Sequence, residues 1–198
     1  MEKKFELTDK FVFNTFGIKL FQIKCTKSFK YAKEGDLGGY VEKDENLDQE
    51  SDAWVSGDAW VSGDARVSGN AQVSGNAQVS GNAQVYGDAR VSGNAQVYGD
   101  AQVYGDAWVS GDAWVSGNAD IENDNNHCGF DCFGSCNRHT HAYLTKDNKV
   151  EITCGCFRGS IEEFEKEVEK THSGTIYEKQ YKAIINVIKI KFGLTDLI

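Results

Sequence analysis

The residues of this 198-residue chain best suited to chemistry are six cysteines and four histidines. His127, Cys128, Cys132, Cys136, His139 and His141 fall within 15 residues, and Cys154 and Cys156 follow. Zinc takes four Cys or His ligands. Cys128, Cys132, Cys136 and His139 are therefore a candidate structural zinc site, with Cys154 and Cys156 brought near by a hairpin. The spacing Cys-x3-Cys-x3-Cys departs from that of a zinc knuckle, and the competing reading is buried free thiols. Disulfides are disfavoured in a reducing cytoplasm. A Cys154 or Cys156 nucleophile working with His139 or His141 would need an orienting acid, and none is identifiable. There is no Gly-rich phosphate loop, no Ser-His-Asp arrangement and no paired-carboxylate motif. Zinc apart, no cofactor is expected, and the reading falls on binding rather than catalysis.

Charge is the second chemical feature. The net charge is −9, and residues 51–126 hold two basic side chains (Arg66 and Arg90) against ten acidic ones. A field of that sign repels nucleic acid and attracts basic surfaces. No apolar run approaches the roughly 18–20 residues of a membrane span, and the first residues lack a signal-peptide core. A cytoplasmic location without direct nucleic-acid or membrane binding is the expectation.

The element that positions these charges is a repeat. From Ser51 to Ile121 a six-residue unit recurs: Gly, Asp or Asn, Ala, a variable residue, Val, then Ser or Tyr. Ala and Val are two apart, so both point to one face of a strand, and the variable residue and the Ser or Tyr point to the other. Gly-Asp and Gly-Asn are turn chemistry. A strand of about four residues followed by a corner makes a prism. Three units close a coil of 18 residues, coils stack about 4.8 Å apart, and residues 51–121 give four coils.

This pattern resembles the hexapeptide-repeat, left-handed parallel β-helix family, in which a small residue follows an aliphatic one by four positions, as Ala59 follows Val55. The left hand is implied by that resemblance, since the usual crossover preference is right-handed. Glu34-Gly35-Asp36-Leu37-Gly38-Gly39-Tyr40-Val41, Cys154-Gly155-Cys156-Phe157-Arg158-Gly159 and Glu162-Glu163-Phe164 extend the resemblance to a phage- and prophage-encoded group of these proteins. The Cys-rich run Gly134-Ser135-Cys136-Asn137-Arg138 departs from that group. Relatives with this fold include trimeric acyltransferases as well as scaffolds and binding proteins, so a homo-oligomer is one expectation. An acyltransferase needs a general-base His, and residues 51–126 contain none.

Stacking by 18 assigns the outer faces. One shows Trp54, Gln72, Arg90 and Trp108. The next shows Trp60, Gln78, Gln96 and Trp114, with Tyr98 beside them. The third shows Arg66, Gln84, Gln102 and Asp120, with Tyr86 and Tyr104 stacked. The tryptophans are either covered by the chain ends or anchors of a protein interface. The corners stack Asp52, Asn70, Asp88, Asp106; Asp58, Asn76, Asn94, Asp112; and Asp64, Asn82, Asp100, Asn118. Asn interrupts Asp where like charges would pile up. Nucleic-acid mimicry is a weaker reading, because the charge is divided among three corners. Calcium is weaker still, because the repeat is not the nonapeptide calcium roll.

The expected architecture is mainly β: an N-terminal β-rich lead-in (1–50), a β-helix (51–121) and a C-terminal α+β domain (122–198). In the first, Leu47 and Val41 lie six and twelve residues before Ala53, which suggests a degenerate lead-in coil. In the last, strands over 139–145 and 150–156 form a hairpin around Asp147-Asn148. A helix follows, capped by Ser160 with Glu163 and carrying Ile161, Phe164 and Val168. A second helix from about Tyr177 carries Tyr181, Ile184, Ile188 and Phe192. The expected function is non-catalytic binding of a protein partner, either a basic nucleic-acid-binding protein or a defence complex, and its inhibition by occlusion. Trp54, Trp60, Tyr86, Tyr98, Tyr104, Trp108, Trp114, Asp88, Asp100 and Asp106 are the expected contacts, on a rod that is convex throughout. The alternative is a trimeric acyltransferase-like enzyme.

Overall fold

A computed structural model of the chain describes residues 3–194. Each six-residue unit contributes one two-residue strand, from β4 (Trp54–Val55) through β5 (Trp60–Val61), β6 (Arg66–Val67), β7 (Gln72–Val73), β8 (Gln78–Val79), β9 (Gln84–Val85), β10 (Arg90–Val91), β11 (Gln96–Val97), β12 (Gln102–Val103), β13 (Trp108–Val109) and β14 (Trp114–Val115) to β15 (Asp120–Ile121). These strands are shorter than the expected four residues, because Ala and Ser or Tyr belong to the corners. The strands stack in parallel at a period of 18, as in Trp54↔Gln72 and Val55↔Val73. Three faces result: β4-β7-β10-β13, β5-β8-β11-β14 and β6-β9-β12-β15. Ladder bonds join the coils, as where Trp54 N–H donates to Ala71 O at 3.0 Å. Every Val of the register is fully buried, and Ala lies inside at the corners. The chain is a parallel β-solenoid of this repeat.

The corner glycine is required on two counts. Gly81 has φ +70, and a Cβ there would lie 2.9 Å from the backbone nitrogen of Gly99 in the next coil. Left-handed backbone and close approach both select Gly.

A fifth coil precedes the regular four. β3 (Leu37–Val41) pairs in parallel with β5, placing Val41 beside Val61, and Leu47 bridges Val67. The lead-in residues therefore occupy the Val register at a period of 20, two residues longer than a regular coil. Gly38 and Gly39 lie within β3. A Cβ on Gly38 would come 2.7 Å from Trp54 Cζ2, and one on Gly39 2.5 Å from Ala59 O. β1 (Phe5–Phe13) and β2 (Lys19–Cys25) form an antiparallel hairpin that extends the second face into the seven-stranded order β1-β2-β3-β5-β8-β11-β14.

The C-terminal region has a four-stranded antiparallel sheet, β16 (His127–Phe133), β17 (Arg138–Leu144), β18 (Val150–Cys154) and β19 (Phe157–Ser160), then α1 (Ile161–His172) and α2 (Ile176–Lys191). The expected hairpin is β17–β18, and β16 and β19 flank it. Ala142, Ile152 and Cys154 pack with Ile161, Phe164, Val168, Tyr181, Ile184 and Ile188 of the helices. The opposite side meets the last solenoid coil: Tyr143 joins the solenoid core, and Thr153 Oγ1 donates to Trp114 O at 2.8 Å. Ser160 and Glu163 form the capping box of α1.

Candidate functional site

The third solenoid face combines aromatic surface, charge and shape. Tyr86 and Tyr104 follow Val85 and Val103 one coil apart, so the stacking period lays one ring on the other. Their centroids are 5.0 Å apart and the rings 8° from parallel. The Tyr86 hydroxyl donates to Gln102 Oε1 at 3.3 Å. Burial, with Asp120 and Glu122 nearby, raises both phenol pKa values, so the hydroxyls stay neutral donors.

On the same face, the lead-in segment 44–50 and strands β6 and β9 enclose a groove of about 610 Å³. Among its lining residues Asp44, Glu45, Asp48 and Glu50 outnumber the one cation, Arg66, while Leu47 and Val67 beneath them are buried in the core. Asp44 pairs with Lys3 at 2.5 Å. Burial alone would raise the Asp48 carboxyl, but hydrogen bonds from Glu50 and Ser51 and the nearby Lys4 charge together hold it below its usual pKa. Glu45 and Glu50 are exposed. This concavity corrects the expectation of a convex rod. It comes from the irregular lead-in coil, where repeat arithmetic does not reach.

The corner carboxylates are held by the ladder the sequence suggested. Asn70 Nδ2 donates to Asp88 Oδ1, Asn82 Nδ2 to Asp100 Oδ1 and Asn94 Nδ2 to Asp112 Oδ1, each at 2.9 Å. Asp106 stands on the same corner as Asp88, and its backbone N–H donates to Glu122 O at 3.2 Å.

The tryptophans divide. Trp54 is buried, edge-on to Phe29 with centroids 5.4 Å apart, so it packs the N-terminal cap and is not an accessible contact. Trp60 and Trp114 are half-buried, and Trp114 lies 5.7 Å from the Tyr98 ring. Trp108 is 53% exposed, with its Nε1 donating to Ser92 Oγ.

The four expected zinc ligands are not brought together. Cys128 packs toward the helices, whereas His139 lies on the opposite side of the sheet with Nδ1 at 2.5 Å from Asp131 Oδ1. Cys132 and Cys136 are exposed. Among the described residues no group of three or more His, Cys, Asp or Glu is placed to hold a metal ion. The side-chain period of 2 along a strand explains the separation: an odd offset in register sends Cys128 and His139 to opposite faces.

A histidine cluster takes its place. His127 Nδ1 lies 3.0 Å from His141 Nε2, and the His139 and His141 ring centroids are 5.6 Å apart. His141 is 1% exposed. Burial, then His127 and His139, push its pKa well below the ordinary histidine value, so it is neutral. The cluster packs the sheet against the solenoid end. The spacing His139-x-His141-x-Tyr143 was the available signal, because it places three rings on one strand face.

No match is found among curated proteins. A family model described as the YdcK beta solenoid repeat matches residues 59–75, 83–99 and 101–117. The solenoid of this chain is thus similar in its repeat to the YdcK beta solenoid, and the chain is a β-solenoid repeat protein.

Proposed function

We propose that the chain is a non-catalytic binding protein whose third solenoid face takes a basic protein segment. The observation that carries this reading is the sharing of one face by a carboxylate-lined groove and a stacked tyrosine pair. Carboxylates attract and orient a basic partner, and aromatic rings supply contact area with little side-chain entropy to lose. The sequence resemblance to phage- and prophage-encoded solenoids supports a host or defence protein as the partner, with occlusion of its basic nucleic-acid-binding groove as the effect.

A fluorescent Lys/Arg-rich peptide titrated with the chain tests the electrostatic part. Binding that weakens as salt is raised, and that Glu45→Gln with Glu50→Gln weakens further, supports the reading. Equal binding of a charge-neutral peptide of the same length overturns it. Asp88→Asn, Asp100→Asn and Asp106→Asn together are expected to slow association and flatten its salt dependence.

A further inference from the structure

The turn Cys154-Gly155-Cys156 lies apart from the binding face. It joins β18 to β19, where Cys154 pairs with Phe157. Gly155 has φ +58, the left-handed conformation that closes a two-residue connection. The Cα atoms of Cys154 and Cys156 are two peptide steps apart, at most about 7 Å and less within a turn, which reaches the span of a disulfide. Both thiols are free and line one cavity of about 180 Å³ with Arg138, Phe164, His172 and Tyr181.

The two thiols differ as an attacking and a resolving pair must. Cys156 is exposed. Cys154 is 7% exposed; its sulfur accepts from Thr140 Oγ1 at 3.3 Å and lies 3.7 Å from the Tyr181 hydroxyl. Arg138 packs on the turn: a Cβ added to Gly155 would come 2.3 Å from its Nη1. Cys136 and Cys156 both lie near enough to raise the guanidinium pKa. The thiolate is the attacking species in disulfide exchange, and the exposed Cys156 is the thiol of the pair that a soluble disulfide reaches first.

We propose that Cys154 and Cys156 are a reversible dithiol–disulfide couple oxidised by a low-molecular-weight disulfide of the glutathione type. The Cys156 thiolate attacks one sulfur of RSSR, forming Cys156–S–S–R and releasing RS⁻. Cys154 gives its proton to solvent and attacks Cys156 Sγ; the bond to R breaks and a second RS⁻ leaves. Two protein thiols are oxidised, and one RSSR is reduced to two RSH. Closure draws the Cys154 sulfur away from Thr140 and Tyr181. Tyr181 is a buried residue of α2, so the redox state of the turn is coupled to the packing of that helix.

Trypsin cleaves after Lys149 and Arg158, which places both thiols in one peptide and Cys136 in another. The full chain, freed of reductant, is treated with oxidised glutathione, alkylated, digested and weighed. The 150–158 peptide is expected to lose the mass of two hydrogens, resist alkylation and recover with dithiothreitol. Cys154→Ser is expected to stop at a glutathione adduct on Cys156. A wild-type peptide that keeps both thiols, keeps a lasting glutathione adduct, or becomes joined to the Cys136 peptide overturns the proposal. The wild-type readout stands even if a variant fails to fold.

Discussion

Replacing Val79 with Asp sets a carboxylate in the middle of the solenoid. Val79 on β8 is fully buried and stacks between Val61 and Val97 of the adjoining coils. The core around it is built of Val and Ala. Loss of the buried Val removes about 1.5–3 kcal/mol. An unpartnered buried carboxylate costs several kcal/mol more, either as desolvation or as the work of neutralising it. The sum is about 5 kcal/mol or more, against roughly 5–15 kcal/mol for a whole domain. Urea unfolding followed by circular dichroism is expected to show no cooperative transition for Val79→Asp, or the protein is recovered insoluble. Gln78→Ala, the outward neighbour, is expected to stay within about 0.5 kcal/mol of wild type. A soluble Val79→Asp protein with the wild-type midpoint refutes the inward valine ladder.

Gly81→Ala meets backbone at 2.9 Å with φ +70 and is expected to destabilise by about 1–3 kcal/mol. Gly17→Ala, with nothing within 4 Å, is expected to lose less in the same urea titration. Ser160→Ala removes the acceptor for Glu163 N–H and is expected to cost about 1 kcal/mol, read as a shift in thermal midpoint. Lys4 is buried and donates to Ser51 O and Ala53 O, and burial lowers its pKa to about 8. The unfolded chain holds that proton up to its higher pKa, so stability rises with pH from about 8 to the unfolded lysine value near 10.4. Wild type is therefore expected to gain on Lys4→Met across that window by about 2–3 kcal/mol; a constant difference contradicts the depressed pKa.

The solenoid was legible because its period is written in every unit: side-chain alternation and a Gly corner leave few other ways to bury Val and Ala. The Ser160 cap and the apolar helix positions were legible for the same local reason. The lead-in groove was not, since it depends on a 20-residue coil that departs from the repeat at Asp48–Asp52. The separation of Cys128 from His139 was hidden because β16, the strand that fixes it, was not foreseen in the Cys-rich segment. Trp54 looked like Trp108 in the repeat. Only tertiary contact with Phe29 distinguishes them.

The third face is proposed to hold a basic partner. The most direct measurement is the Kd of a partner recovered by affinity capture and purified, compared between wild type and Tyr86→Ala with Tyr104→Ala. With circular dichroism unchanged, binding is expected to weaken by about tenfold or more, as for loss of two interface anchors. Wild-type affinity in the double variant would contradict the account and move the binding function to the N- or C-terminal caps.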